Sequence, residues 1–266
     1  MPEGPEVKIT SDFLNNHFQN EVITEISPIT KYFKTKYSSV TEELKKKLIG
    51  EKINSFTIGK KTYIPLANKQ YYQYHLGMTG YWSKILTKHS HYKLSSKSKE
   101  LYFCDIRKFG KHLISLDSNL NWDIALYDFL KKDYDIDLHY HYLTKSISKR
   151  RNICNVLLDQ KLFPGIGNYL KSEILYKSEI HPDAKWGQIT KDLIYRILKN
   201  SKYLSRRSYQ NGGAELKDFR NPLKKSSFNL EVYAKKTDPN GYRVSSIISK
   251  DKRRTWFVPD IQKQKR

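Results

Sequence analysis

Pro2 and Glu3 lie at the start of the chain, in Met1-Pro2-Glu3-Gly4-Pro5-Glu6-Val7. Removal of Met1 exposes a secondary amine at Pro2. An α-amino group ordinarily titrates at about 7.7–8.0, so a neutral, reactive fraction exists near neutral pH. Neutral amines attack electrophilic carbon and form Schiff bases. From a secondary amine the product is a fixed cation, which is a good electron sink. Glu3 is placed to move protons beside it. The same heptapeptide also reads as an ordinary helix entry, with Pro5 in the first turn and acids near the positive end of the dipole. On these residues alone that plainer reading prevails.

Four further segments carry candidate chemistry. Asp159-Gln160-Lys161-Leu162-Phe163-Pro164-Gly165-Ile166-Gly167-Asn168-Tyr169 separates two helical patterns. Its glycines permit a tight turn whose following helix points free N–H groups outward, a phosphate site to which Asn168 and Lys161 add donors. A ligand-free helix–turn–helix fits equally well. His75-Leu76-Gly77-Met78-Thr79-Gly80 and Asp105-Ile106-Arg107-Lys108-Phe109-Gly110 put Met78, Arg107 and Phe109 on glycine-flanked loops. Such side chains can wedge into a base stack, although two hairpins with a buried Met and Phe are the commoner outcome. Lys60 follows Gly59 at a strand end, with Lys61 as the register alternative. It could contact phosphate or carry protons, or simply belong to a solvated turn. Lys250-Asp251-Lys252-Arg253-Arg254-Thr255-Trp256-Phe257 leads basic residues into an aromatic strand, suited to laying arginine on a phosphate backbone.

Composition bounds these readings. The 266 residues hold 49 Lys+Arg and 27 Asp+Glu, a formal net charge of +22. Residues 1–140 contribute +5 and residues 141–266 contribute +17, a split that suggests two units with different duties. A polyanionic partner follows, nucleic acid before membrane surface. At 38% hydrophobic and 13% aromatic the chain is no disordered polycation. It has no apolar run of bilayer-spanning length and no signal-peptide pattern. Two cysteines, Cys104 and Cys154, exclude a disulfide scaffold and a four-thiolate zinc site. The pairs His89/His91 and His139/His141 are a weak metal signal, more often surface or strand residues.

The elements that must position these residues divide the same way. The first half reads as strands over 52–58, 70–74, 100–104 and 112–116, with helices over 5–18 and 41–48. The second half reads as helices over 152–160, 169–177 and 190–203. Strands are expected again over 228–233, 242–248 and 255–258, with a turn at Asp238-Pro239-Asn240-Gly241.

Taken in order, these segments resemble the formamidopyrimidine-DNA glycosylase / endonuclease VIII family of base-excision repair enzymes, over nearly the whole chain. The resemblance implies that Pro2 is the Schiff-base nucleophile and Glu3 the neighbouring acid/base. It implies that Lys60 contacts phosphate and assists elimination. Met78, Arg107 and Phe109 would fill the void left by an everted nucleotide. Asn168 and Lys161 would grip phosphate at a helix-two-turn-helix, and Arg253, or Arg254 by a one-residue shift, would be the finger arginine. Most members build their last hairpin around two C-x-x-C pairs that bind zinc. Here the corresponding positions are Asn240, Arg243, Val258 and Ile261. The chain is therefore similar to a zinc-less branch whose hairpin is held by packing, with Tyr242, Val244, Ile247, Trp256, Phe257 and Val258 as the candidates. Gly4, where the glycosylase side usually has Leu, places it on the endonuclease VIII side.

The expected fold is α+β in two domains. A catalytic β-sandwich flanked by helices spans 1–128, and a linker spans 129–137. A helix-two-turn-helix DNA-binding domain spans 138–227 and a zinc-less β-hairpin finger spans 228–266. The expected function is a bifunctional DNA glycosylase/AP lyase, without metal or cofactor, acting as a monomer on DNA with oxidised bases or abasic sites. Pyrimidines and hydantoins are the expected lesions, although Gly212-Gly213-Ala214-Glu215-Leu216-Lys217-Asp218-Phe219 resembles the loop that the purine-specific branch places over its base. The alternatives are a non-catalytic lesion- or structure-binding protein on the same fold and a helix–hairpin–helix glycosylase. The latter leaves the strand-rich first half unexplained.

Overall fold

The computed structural model describes residues 1–216, 219, 221–223 and 226–264. They form two compact units, one of residues 1–2, 6–121 and 215–226, the other of residues 3–5, 122–214 and 227–266. Lys217 and Asp218 of the expected purine-type loop lie outside the described residues.

The first unit holds two four-stranded antiparallel sheets. Its strands are β1 (Glu25–Pro28), β2 (Phe56–Ile58), β3 (Lys61–Leu66), β4 (Gln70–His75), β5 (Gly80–Ser83), β6 (Ser90–Ser95), β7 (Glu100–Asp105) and β8 (Lys111–Leu116). The sheet orders are β1-β6-β7-β5 and β2-β3-β4-β8. Helices α1 (Gly4–His17), α2 (Lys31–Lys36) and α3 (Ser38–Leu48) flank them. Val7, Phe13 and Leu14 of α1, with Phe18 just beyond it, enter one buried cluster with Ile64, Tyr72, Tyr74, Trp82, Tyr92 and Phe103 from both sheets. Aromatic hydroxyls in this core must find partners. The Tyr72 hydroxyl meets that of Tyr92 at 2.7 Å and Nδ1 of His112 at 2.7 Å. The expected strand over 52–58 shrinks to Phe56–Ile58. Helix α2 buries only Phe33 and is too short to show a period.

The second unit is mainly helical. It comprises α4 (Ile136–Ser146), α5 (Ile153–Leu158), α6 (Asn168–Lys177), α7 (Lys191–Gln210) and an antiparallel hairpin of β9 (Ser245–Ile248) and β10 (Arg254–Phe257). Within the expected linker, Phe129 and Tyr134 are buried, and Arg206 donates to the carbonyls of Phe129 and Lys131. His139 of α4 links Tyr134 to the turn before α6. Its Nδ1 meets the Tyr134 hydroxyl at 2.9 Å and its Nε2 meets the Leu162 carbonyl at 2.8 Å.

The hairpin corrects two expectations. Residues 228–233 are not a strand. The backbone N–H groups of Glu231, Val232 and Tyr233 donate to the Glu173 carboxylate on α6 at 2.8–3.0 Å, so a side chain takes the place of a partner strand. Apolar packing is also only part of what holds the hairpin. Val232, Val258 and Tyr176 form a small buried cluster, with Val244 and Ile261 packed on it, whereas Tyr242 is 47% exposed. The remainder is polar. Asp238 accepts the N–H groups of Asn240 and Tyr242 and the Tyr176 hydroxyl. Gln262 accepts from Val258 N and donates to the Ile180 carbonyl. Asn240, Arg243, Val258 and Ile261 offer no thiolate or imidazole and do not fit a zinc ion. Among the described residues no group of three or more His, Cys, Asp or Glu side chains could hold a metal.

Two expectations follow for stability. Burial, reinforced by the charges of His91 and Lys36, pushes His112 down to about 3. Burial pushes His139 down to about 4, partly offset by its bond to the Leu162 carbonyl. Below the ordinary value of 6.5 the unfolded chain binds these protons and the folded chain does not. Stability is therefore fully present above that value and falls as pH drops, by up to about 1.4 kcal/mol per pH unit per histidine. His17, His75 and His181 are also lowered, mainly by burial, and act in the same direction. Thermal melting between pH 7.5 and 5 should show a falling Tm, and a flat profile would contradict it. A chelator should leave the Tm unchanged, whereas stoichiometric zinc whose removal loosens the hairpin would refute the metal-free account.

Candidate active site and nucleic-acid interface

The Glu3 carboxylate occupies the N-terminus of α6. Oε2 accepts the N–H groups of Gly167 at 2.7 Å and Leu170 at 3.3 Å, and Oε1 accepts that of Tyr169 at 2.8 Å. A helix start leaves such donors without partners and favours negative charge. The expected phosphate cradle is thus corrected, because these N–H groups hold a carboxylate of the same chain. Gly4 N donates to the Gly165 carbonyl at 2.8 Å and secures the same segment. The turn itself is organised by Gln160, a residue not singled out from residue type or spacing. Its Nε2 donates to the carbonyls of Leu158 and Ile166, and its Oε1 accepts from Gly165 N.

Asn168 is likewise engaged inside the protein. Its Nδ2 donates to the Arg254 carbonyl at 3.0 Å, tying the start of α6 to β10. Lys161 is exposed on the turn, where its backbone N–H meets Asp159. The two arginine candidates differ in setting. Arg254 opens β10, whereas Arg253 is the exposed residue before it, with its backbone N–H held by Asp251 at 3.1 Å. Tyr233, which the sequence left unassigned, packs on Trp256 with ring centroids 4.3 Å apart. Burial pushes its hydroxyl upward, against a hydrogen bond from Asn168. An aromatic residue just before the Asp238 turn was the signal available for it.

In the first unit, Met78, Arg107 and Phe109 come together. Arg107 donates to Met78 Sδ at 3.3 Å, and its guanidinium lies 4.8 Å from the centre of the Phe109 ring. The ring is 51% exposed, so the buried-hairpin alternative does not hold for Phe109. Asp105 braces both loops. It accepts the Thr79 hydroxyl at 2.5 Å and Gly110 N at 2.7 Å, and Thr79 in turn accepts Arg107 N at 3.0 Å. Gly77 has φ +63°, and a Cβ there would lie 2.6 Å from the Phe109 backbone. The two motifs therefore form one rigid platform.

Beside this platform is a cavity of about 550 Å³ lined by Met1, Lys61, His75, Met78, Phe109 and Lys111. Lys60 is only 9% exposed and Lys61 faces the cavity. His75 accepts Gly77 N on Nδ1 at 2.9 Å, which leaves Nε2 to donate. Burial first, then the charges of Lys60, Lys61 and Lys111, push its pKa down. A neutral imidazole donor among three ammonium groups suits an anionic ligand.

Comparison with known proteins agrees with this geometry. The chain matches models of the formamidopyrimidine-DNA glycosylase N-terminal domain over residues 1–112, its H2TH domain over 127–219 and its C-terminal domain over 221–263. A formamidopyrimidine-DNA glycosylase of Mycoplasmopsis pulmonis is 33% identical, covering 100% of this chain and 99% of the relative. One of Bacillus cereus is 31% identical over 90% of each. Among solved structures, Lactococcus lactis Fpg in complex with abasic-site DNA has a TM-score of 0.82 at 24% identity, covering 98% of this chain and 100% of that one. MutM in complex with DNA containing carbocyclic 8-oxo-G has a TM-score of 0.81 at 23% identity, covering 99% and 100%. These structures establish the fold, and the curated relatives carry the formamidopyrimidine name although Gly4 pointed to the endonuclease VIII side. The chain belongs to the formamidopyrimidine-DNA glycosylase family, the DNA N-glycosylase/AP lyases of DNA repair.

Proposed function

We propose that the chain is a bifunctional glycosylase/AP lyase that works through Pro2. The observation that carries this reading is the fixed Glu3 carboxylate, one residue from the amine, held by three backbone donors. A base inside a duplex is out of reach, so the damaged nucleotide is everted first. Met78, Arg107 and Phe109 fill the gap. The Pro2 nitrogen then attacks C1′, the C1′–base bond breaks, and the base leaves with its electron pair and a proton. Glu3 handles protons at the sugar as the ring opens to the iminium. The iminium draws electrons from C2′, a C2′ proton is lost, and the 3′ C–O bond breaks in β-elimination. Where a second elimination follows, the 5′ phosphate is also released, and water frees the sugar remnant from Pro2. Lys60 and Arg253 hold the flanking phosphates, Lys161 supports the strand at the turn, and Asn168 ties the start of α6 to β10.

For the lesion, the thiol-free hairpin and Gly4 favour oxidised pyrimidines and hydantoins. The name shared by the curated relatives favours ring-opened purines. We assign the first class as preferred. Borohydride trapping on duplex and single-stranded oligonucleotides separates the two. Hydantoin or oxidised-pyrimidine DNA should be trapped faster than formamidopyrimidine DNA, and the reverse order would overturn the assignment. With Met1 removed, Pro2→Gly should lose most trapping. Glu3→Gln should lose base excision and retain DNA binding. No adduct from the wild-type protein on any substrate would sink the Schiff-base route.

The seat of Glu3 gives a sharper test. A Cβ at Gly167 would lie 2.3 Å from Glu3 Cδ, a distance no rotamer change at position 167 relieves. Gly167→Ala should therefore displace Glu3 and lower base excision by about a hundredfold, within the range general acid–base groups contribute. Cleavage of preformed abasic sites should suffer less. Equal losses on both substrates would argue against a Glu3-specific effect.

A further inference from the structure

Lys171 is fully buried on α6, with no solvent exposure, three residues after Asn168. Its ammonium meets Asp251 Oδ2 at 2.5 Å, and the Asp251 side chain is only 5% exposed. The other oxygen of Asp251 serves the hairpin turn. Oδ1 accepts Arg253 N at 3.1 Å and the Ser249 hydroxyl at 2.6 Å. That hydroxyl is also 3.0 Å from the Arg253 carbonyl and 2.6 Å from the Thr255 hydroxyl. Lys252 adopts φ +61°, so the turn is tightly bent at the residue before Arg253. The Arg253 N–H is thus fixed by the Asp251 carboxylate, and the Arg253 carbonyl accepts the Ser249 backbone N–H at 3.1 Å.

A buried ion pair is a poor device for stability, because desolvation offsets the attraction and an apolar replacement often does as well. It does fix register, since either charge left alone in the interior is costly. Here it joins the helix that seats Glu3 to the turn that carries Arg253. We propose that the Lys171–Asp251 pair is a positioning device for Arg253, holding its backbone so that the guanidinium reaches the phosphate next to the lesion. This rests on the reading of Arg253 as a phosphate-gripping residue, but not on the Schiff base.

The test uses a duplex bearing a tetrahydrofuran abasic analogue, which cannot form an iminium, titrated over a salt series. Arg253→Ala should weaken binding about tenfold, as expected for a charge-assisted bond, and lower the salt slope by about one. The double variant Lys171→Met/Asp251→Asn should do the same while its Tm stays close to wild type. Combining it with Arg253→Ala should add nothing further, and Lys171→Arg should restore most of the affinity. Full additivity with Arg253→Ala, or wild-type affinity and slope in the double variant, would overturn the positioning role. If the double variant does not fold, Ser249→Ala loosens the same turn without touching a charge. The same loss, absent once Arg253 is alanine, is then expected, and an additive loss would overturn the proposal. An Arg253→Ala protein that binds like wild type would remove the phosphate role and the proposal together, while leaving the chemistry at Pro2 intact.

Discussion

One carboxylate at one helix start constrains the candidate site more than any other contact. Glu3 takes the place at α6 that a capping side chain or a ligand would otherwise fill. The cap comes from a distant part of the chain, so a local need of the helix fixes a long-range tertiary position. Three donors on two oxygens leave the carboxylate little rotational freedom. Because the next residue toward the N-terminus is Pro2, whose φ is itself restricted, the approach of the chain to the amine is defined within a few torsions. The proposed acid/base is thereby preorganised rather than recruited on binding, which is how such groups contribute most.

Helix α6 does more than carry that cap. Residues from Tyr169 to Tyr176 are all buried, including Lys171, Ser172 and Glu173. Such a helix needs a partner for each polar side chain, and the hairpin supplies them. Lys171 meets Asp251, Ser172 accepts Trp256 N, and Glu173 accepts three consecutive N–H groups. Four thiolates around a metal would fold such a hairpin from within. Here the order comes from outside, through side chains of the helix beneath it. A consequence is that hairpin and helix form one cooperative piece, so substitutions on α6 report at the fingertip.

The strand half and the helix starts were legible because period, caps and glycines are local signals. The helix expected over 5–18 runs from Gly4 to His17, and the one expected over 169–177 starts at Asn168. Helix α7 runs on to Gln210, beyond the expected end at 203. Its buried face continues through Ser201, Ser205 and Ser208, residues that a hydropathy pattern counts as polar. The segment 228–233 has the composition of a strand, yet Glu173 satisfies its backbone from another element, and no feature of the segment announces that. The site divides the same way. Pro2-Glu3, Met78, Arg107 and Phe109 are candidates drawn from residue type and order. Gln160, Tyr233 and the Lys171–Asp251 pair act through contacts that only the folded chain creates.

The charge asymmetry gains meaning from where the acids go. In residues 141–266, Asp159, Glu179, Glu231 and Asp251 are paired with Arg151, Arg196, Lys177 and Lys171. Each pair removes one charge of each sign and leaves the excess untouched. Glu173 and Asp238 are directed at backbone N–H groups instead, so they neutralise no nearby cation through an ion pair among the described residues. Six of the eleven acids of this half are thus engaged in ion pairs or with backbone N–H groups, and its +17 falls on side chains such as Lys161, Arg253 and Arg254, which are exposed. Cations in that condition attract phosphate without regard to sequence and release counterions on binding. In the proposed reading, most of the sequence-independent attraction for DNA therefore comes from the basic helical half, whereas the Met78–Arg107–Phe109 platform that would fill the gap lies in the strand half.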